Sequence, residues 1–156
     1  MPGTPDPTSI PALPERFRAV PYVGARHPEA VPAGDIAAGA NCQLYAYAYL
    51  AHHGLYVPPM RSSELYADTA ATVRVDRPTT LDLVLFDAGP KPGRPDGYGA
   101  HVGVHVGPDR VLHLSREVGV PALWTYAEFA AHPSYTRLFA IKRCRNRGQE
   151  QNGTPA

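Results

Sequence analysis

Cysteine is scarce in this sequence: its 156 residues include only two cysteines, Cys42 and Cys144. Two cysteines form at most one disulfide, so the disulfide framework of small secreted domains is excluded. Long apolar runs are also missing, and none approaches the roughly 20 residues of a membrane-spanning helix. The first residues carry no apolar segment typical of a secretion signal. We therefore expect a cytoplasmic protein with no membrane partner.

An excess of charge of one sign is absent as well. The chain has 15 Lys and Arg residues against 14 Asp and Glu residues, which gives a formal net charge of +1. Nucleic-acid-binding surfaces need clustered basic residues, and the sequence contains no run of them. We expect no nucleic-acid partner, and no motif indicates a cofactor or a bound metal. The sequence leaves the oligomeric state open.

The distribution of proline and polar residues divides the chain into three parts. Residues 1–13 contain four prolines and no periodic pattern, which predicts a disordered lead. Residues 14–145 are enough to bury one core, so we predict a single domain there. Residues 146–156 are polar, and we predict a flexible tail.

Residues 41–54 predict one buried helix of about three and a half turns. Asn41 is a good N-cap, and Gly54 stands where a left-handed residue ends a helix. The residues between them are apolar nearly all round, as in a helix at the centre of a domain. Cys42 then occupies the first helical position, at the positive end of the helix dipole. We expect this position, together with a histidine partner, to lower the pKa of the thiol into the range of roughly 3.5–7.5 found for activated cysteines, so that Cys42 reacts near pH 6.

Several shorter segments lie before and after this helix. An apolar run at 82–86 predicts a buried strand, and alternation at 101–106 followed by a returning run at 111–115 predicts a hairpin. Further strands are predicted at 72–75 and 137–143. Short helices are predicted at 14–20, at 61–68 with Ser62 or Ser63 as its cap, and from the capping box that begins at Thr125. One long helix and several consecutive strands predict an α+β domain with an antiparallel sheet.

A cysteine nucleophile needs a base within hydrogen-bond reach, and the base needs a third group to orient it. His52 and His53 lie about three turns along the Cys42 helix, roughly 15 Å away, and are too far. His101 begins a predicted strand directly after a loop, so its side chain is the candidate base. His105 lies on the same strand face but roughly 13 Å further along.

His113, on the returning strand, is the candidate orienting group for His101. Its position depends on the register of the hairpin. A loop of two or four residues places His101 and His113 on opposite faces, whereas a loop of three or five residues, or a bulge, places them on one face. The sequence does not choose between these registers.

The order of these motifs resembles the NlpC/P60 cysteine peptidases of the papain-like superfamily. The resemblance covers residues 21–143. The family's helix motif is a cysteine, an apolar run, Gly and then Pro, which is similar to Cys42, Gly54 and Pro58 here. The other matching segments are Pro21-Tyr22-Val23-Gly24, Arg61-Ser62-Ser63, Leu81-Asp82-Leu83-Val84-Leu85-Phe86, His101-Val102-Gly103-Val104-His105-Val106-Gly107 and Leu112-His113-Leu114-Ser115.

The resemblance implies a pared-down papain-like fold, in which the cysteine helix packs on the sheet, and a set of site residues. Cys42 would be the nucleophile, His101 the base and His113 the orienting residue. The backbone N–H of Cys42 and Tyr22 would serve the oxyanion. The family usually has Asp-Cys-Ser-Gly, where this chain has Asn41-Cys42-Gln43-Leu44.

Together with these residues, the resemblance implies a cysteine hydrolase that cleaves an amide bond through a thioester. In family members that cut γ-D-glutamyl-diaminopimelate links, the residues that flank the cysteine help line the substrate pocket. Asn41 and Gln43 stand there in place of the usual Asp and Ser, so we expect poor cleavage of these links. The predicted substrate is a cell-wall-type peptide or a small peptide-like metabolite. Three alternatives stay open: acyl transfer at the same site, an inactive binding module on the same fold, and a zinc site built from Cys42, His101, His105 and His113.

Overall fold

The computed structural model describes residues 13–145. The segments 1–12 and 146–156, which belong to the predicted lead and tail, lie outside the described residues. Leu13 was expected to end the lead, but it is 1% exposed and packs in the core. Leu13 therefore packs with the domain, because the core buries its apolar side chain.

The helix that carries Cys42 is α1, Cys42–His52. Its N-cap is Asn41, whose side-chain oxygen accepts the Leu44 N–H at 2.8 Å, as predicted. Gly54 follows with a φ of +82°, the left-handed conformation expected after a helix end. Residues Cys42 to Leu50 are all buried, which confirms the prediction of a helix surrounded by the core.

The described residues form one six-stranded sheet in which all neighbouring strands are antiparallel. Its order is β1-β6-β2-β3-β4-β5. The prediction of an α+β chain with an antiparallel sheet is confirmed at this level. The strands are β1 (Thr72–Arg74), β2 (Leu83–Asp87), β3 (His101–His105), β4 (Val111–Leu114), β5 (Pro121–Trp124) and β6 (Arg137–Cys144).

Strand β5 was not predicted. Its four residues are too few to show alternation, and proline is a poor strand residue. β5 is the edge strand next to β4, and Pro121 is its first residue, which is a position where strands tolerate proline.

Three short helical segments complete the structure: a 3-10 helix at Glu15–Phe17, α2 at Ser62–Ala67 and α3 at Tyr126–Ala130. The prediction that Ser62 or Ser63 caps α2 is wrong. Arg61 is the N-cap, and Ser62 instead donates its hydroxyl to the Gly97 carbonyl at 2.7 Å. The capping box of α3 is confirmed, with Thr125 and Glu128 bonded reciprocally.

The hairpin of β3 and β4 has the register that brings the two histidines to one face. Val104 pairs with Leu112, and His105 pairs with Val111, so five residues, 106–110, form the connection. Continuing this register places Gly103 opposite His113. A Cβ atom on Gly103 would lie 2.5 Å from Val111 Cγ1 and 3.2 Å from His113 Cβ, so glycine is required at this crossing.

The two faces of the sheet bury two apolar clusters. Alternate residues of the central strands, among them Leu85, Val102 and Leu112, pack in the cluster that contains α1. The residues between them, such as Phe86 and Val111, pack with Phe129 of α3 on the other face. His101, His105 and His113 belong to this second face. His101 is nevertheless the first residue of its strand, and it lines one cavity together with Cys42, the first residue of α1.

Candidate active site

Cys42 opens α1 and is 9% exposed. Burial raises the pKa of its thiol to about 11, although hydrogen bonds from the backbone N–H groups of Val102, Gln43 and Cys42 itself act to lower it. These last two donors are free because the first turn of a helix leaves its N–H groups without helical partners. The predicted lowering of the thiol pKa is therefore wrong for the resting protein, since loss of hydration outweighs the helix start.

His101 and His113 are in direct contact. Nε2 of His101 lies 2.8 Å from Nδ1 of His113, and both rings are buried. Burial lowers the pKa of His101 to about 4 and holds the pKa of His113 well below its usual value. Both imidazoles are consequently neutral near pH 7, the state in which a histidine accepts a proton.

The surroundings of His113 determine which nitrogens carry protons. Its Nε2 is buried and has no hydrogen-bond partner among the described residues. The His113 ring lies 4.6 Å from the Trp124 ring and 4.7 Å from the Phe129 ring. An N–H is better placed among aromatic rings than a nitrogen lone pair, because the ring faces are negative. We therefore assign the His113 proton to Nε2, which makes its Nδ1 the acceptor of the Nε2–H of His101.

This assignment leaves Nδ1 of His101 with a free lone pair. A neutral imidazole has one donor and one acceptor nitrogen, and the donor of His101 is used by His113. Its remaining nitrogen is the one available to a proton donor in the adjoining pocket. The pair is thus arranged as a base, His101, and a residue that fixes its tautomer, His113.

Tyr135 covers the His101 ring. The ring centroids are 4.6 Å apart and the ring planes are inclined by 28°, and the Tyr135 hydroxyl donates to the Glu117 carboxylate. The negative charge of Glu117 opposes the effect of burial on the pKa of His101. The sequence analysis missed both residues, because they lie in loops where no spacing rule connects them with His101.

Cys42 lies where two pockets adjoin. We call the first the Arg61 pocket; it has a volume of about 540 Å³ and is lined by Asn41, Gln43, Arg61 and Glu64 among others. The second, the His101 pocket, has a volume of about 380 Å³. Its own lining includes Lys91, His101, Glu117 and Tyr135. Both pockets share Tyr22, Cys42, Gly99, Ala100 and Arg116.

The three residues predicted to serve the oxyanion or the substrate all lie beside Cys42. Tyr22 lines both pockets, and the positive charge of Arg116 nearby acts to lower the pKa of its hydroxyl. Burial and the neighbouring Cys42 raise the pKa of Tyr22, so its hydroxyl is protonated near neutral pH. Asn41 and Gln43 are bonded to each other, with Asn41 Nδ2 donating to Gln43 Oε1 at 3.2 Å, and both face the Arg61 pocket.

Other candidate residues lie elsewhere. His105 bonds with the Tyr126 hydroxyl at 2.8 Å and lines neither pocket. Cys144 is buried at the end of β6, opposite Thr72, and the two cysteines are not joined by a disulfide. Within residues 13–145, no three His, Cys, Asp or Glu side chains are grouped so as to hold a metal ion. A separate apolar groove beside Phe86 contains none of the predicted site residues.

Comparisons with known proteins add no identification. No protein-family model matches the chain, and no curated protein is significantly similar to it in sequence. Within the part of the chain that the structure describes, no helix has the length and apolar character needed to cross a bilayer.

Proposed function

We propose that this protein is a cysteine hydrolase that cleaves an amide bond through a thioester on Cys42. The observation that carries the proposal is the shared pocket of Cys42 and His101, with the His101 ring fixed by His113 at 2.8 Å. A nucleophile, a base and a group that orients the base are the parts that thioester chemistry requires.

In the first half of the reaction, Sγ of Cys42 attacks the carbonyl carbon of the amide. Nδ1 of His101 takes the thiol proton during this attack, because the pKa values of about 11 and about 4 leave both groups neutral beforehand. The carbonyl oxygen becomes an oxyanion that accepts from the Cys42 backbone N–H and the Tyr22 hydroxyl. His101 then gives its proton to the departing nitrogen, and the C–N bond breaks to leave a thioester.

In the second half, His101 removes a proton from a water molecule that attacks the thioester carbon. The C–S bond breaks, the carboxylic acid leaves and the proton returns to the thiol. Proton transfer by a positioned histidine contributes typically about 100- to 10,000-fold to the rate. Each oxyanion donor contributes about 100- to 1,000-fold.

A papain-like fold of the NlpC/P60 type is part of the same proposal. The order of the sequence motifs supports it, as does a buried helix packed on an antiparallel sheet. The substrate we propose is a small peptide or peptide-like amide. Asn41 and Gln43, both neutral, stand where the family usually has Asp and Ser, so the acyl group recognised here differs from γ-D-glutamyl-diaminopimelate peptides.

A thioester is tested directly with p-nitrophenyl acetate, an activated ester that acylates reactive thiols. We expect one acetyl group to appear on Cys42 in an acid-quenched sample, together with a burst of one equivalent of p-nitrophenol. Cys144→Ser should give the same burst, whereas Cys42→Ser should give none. Acetylation of Cys144 instead, or the absence of any acyl-enzyme in folded protein, would refute the mechanism.

Specificity is tested by comparing wall-derived peptides with a panel of small amides. Purified protein should hydrolyse γ-D-glutamyl-diaminopimelate peptides slowly relative to the best amide in the panel. Chromatography with mass spectrometry of the products measures both rates. Rapid turnover of the wall peptides would contradict the role we give to Asn41 and Gln43.

A further inference from the structure

The two pockets beside Cys42 correspond to the two sides of the bond that is cleaved. Under the proposed function, on which this inference rests, His101 protonates the departing nitrogen and must therefore face the leaving group. His101 lines only one of the two pockets. The His101 pocket is thus the leaving-group side, and the Arg61 pocket is the acyl side.

The charged side chains of the His101 pocket are Lys91, Arg116 and Glu117. Glu117 accepts a hydrogen bond from the Tyr135 hydroxyl and keeps its negative charge, since its pKa is lowered. Lys91 lies against Gly99, which lines both pockets. A Cβ atom on Gly99 would be 3.4 Å from Lys91 Cε and 3.9 Å from Lys91 Nζ. Arg116 lies near Tyr22, and its positive charge acts to lower the pKa of that hydroxyl; both residues line the pocket beside Cys42.

The two cations are not paired with carboxylates of the described residues. The charge of Lys91 contributes to lowering the pKa of Asp87. The Asp87 carboxylate, however, is paired with Arg137 through two hydrogen bonds of 2.8 and 3.0 Å. The leaving-group pocket therefore presents two cations that have no anionic partner, Lys91 and Arg116, against the one carboxylate of Glu117, and Arg116 stands where this pocket adjoins the Arg61 pocket. Such a pocket is complementary to an anionic group on the ligand.

We propose that Lys91 and Arg116 bind a free carboxylate on the leaving group, so that the amide cleaved is the one that joins an acyl group to a terminal amino acid. The amine released is then an amino acid whose carboxylate was never amidated or extended. Arg116 offers a planar fork of N–H donors that matches a carboxylate, and Lys91 adds a second charge. The site discriminates against leaving groups in which that carboxylate is blocked.

Two thiol reagents test this without knowledge of the natural substrate. N-iodoacetylglycine and N-iodoacetylglycinamide carry the same iodoacetyl group, and in both Sγ of Cys42 forms a bond to the methylene carbon while iodide leaves. They differ only in the free or amidated terminal carboxylate. Each rate constant for Cys42 is divided by that for N-acetylcysteine, and the ratio between the reagents is the readout.

For the wild type at low salt we expect the carboxylate reagent to be favoured about 2- to 30-fold, as for one or two partly exposed ion pairs. The preference should fall as salt is added, because exposed charges are screened. This salt series requires no substitution and so does not depend on how variants fold.

Substitutions show which side chains produce the preference for the carboxylate reagent. Lys91→Gln and Arg116→Gln should each lower the ratio, and the double variant should bring it close to one. Arg94→Gln is the matched control: it removes the same charge from the same loop as Lys91, and Arg94 lines neither pocket. Its ratio should equal that of the wild type.

The outcomes separate this inference from the proposed function. Labelling of Cys42 by both reagents at equal normalised rates, or a preference that Arg94→Gln removes as well as Lys91→Gln, overturns the carboxylate site alone. Failure of both reagents to label Cys42 in folded protein, when they label it after unfolding, overturns the nucleophile assignment and this inference with it.

Discussion

The thiol of Cys42 experiences two opposing influences. A helix start favours a nearby negative charge by about 0.3–1 kcal/mol. The rise of its pKa from 9.0 to about 11 corresponds to about 3 kcal/mol in the other direction. Burial therefore determines the resting state, and the neutral thiol needs a base at the moment of attack. His101, whose pKa of about 4 keeps it neutral, is in the state to provide that base.

His113 is expected to act by accepting the Nε2–H of His101, and substitutions distinguish this role from simple packing. His101→Ala should lower the rate of Cys42 acylation by p-nitrophenyl acetate about 100-fold or more. His113→Ala should have a smaller effect, and His113→Gln should retain part of the rate because its amide oxygen also accepts a hydrogen bond. Stopped-flow measurement of the burst gives these rates.

His105→Ala is the control for these variants, since His105 lies on the same strand and lines neither pocket. It should acylate at a rate close to that of the wild type. If His105→Ala is inactive while His101→Ala retains activity, the assignment of the base is incorrect.

At the scale of elements, the hairpin of β3 and β4 aligns the two histidines, and Gly103 permits their approach. Gly103→Ala introduces a Cβ atom 2.5 Å from Val111 Cγ1 and 3.2 Å from His113 Cβ, so the Val111 side chain or β4 itself must shift and His113 must give way slightly. We expect a loss of about 1–3 kcal/mol in unfolding free energy. Acylation of Cys42 should also slow, because the His101–His113 bond lengthens. Urea unfolding followed by circular dichroism measures the stability.

Gly24→Ala is the matched control for this substitution. A Cβ atom on Gly24 meets its nearest neighbour, the Tyr22 hydroxyl, at an ordinary 3.5 Å. The change should cost clearly less stability than Gly103→Ala. Equal losses of stability in the two variants would show that the hairpin does not need glycine at position 103 to avoid a clash.

The elements that could be predicted from the sequence are those whose signals are local. The cap at Asn41, the helix end at Gly54 and the alternation of β3 depend on neighbouring residues, and each was located within two residues. The hairpin register depended on a five-residue connection that the sequence left open. Strand β5 was missed because tertiary pairing, rather than propensity, makes it a strand.

In the candidate site, too, local sequence features could be predicted, whereas features that depend on tertiary structure could not. Cys42, His101 and His113 were selected from motif order, and the structure brings their elements together. The pKa of Cys42 was predicted in the wrong direction, since the helix start is visible in the sequence and the degree of burial is not. Tyr135 and Glu117 were missed for a related reason: they reach His101 through loops whose course no local pattern specifies.

For the whole molecule, the buried neutral histidines make stability depend on pH. Below pH 6.5 the unfolded chain protonates His101, whereas the folded protein resists protonation until about pH 4. The unfolding free energy should therefore fall as the pH drops through this window, by up to about 1.4 kcal/mol per pH unit for each such histidine. Urea unfolding at several pH values measures the slope.

Substitution of His101 isolates its share of this slope. His101→Gln should unfold with a shallower dependence on pH between 6.5 and 4, because one of the groups that the unfolded chain protonates has been removed. Asp87, whose pKa is lowered chiefly by its hydrogen bonds with Arg137, acts only at more acidic pH. An unchanged slope in His101→Gln would contradict the burial of a neutral imidazole at this position.

The most direct test of the central claim is alkylation by iodoacetamide, followed over a range of pH and mapped by mass spectrometry. Cys42 should be modified before Cys144, and loss of acylation activity should follow the modification of Cys42. Its rate should continue to rise with pH from 6 to 10, because the thiol pKa is about 11. A rate that is already constant below pH 7 would contradict the neutral thiol. Modification of Cys144 first, or an unreactive Cys42 in protein that still forms an acyl-enzyme, would contradict the assignment of the nucleophile.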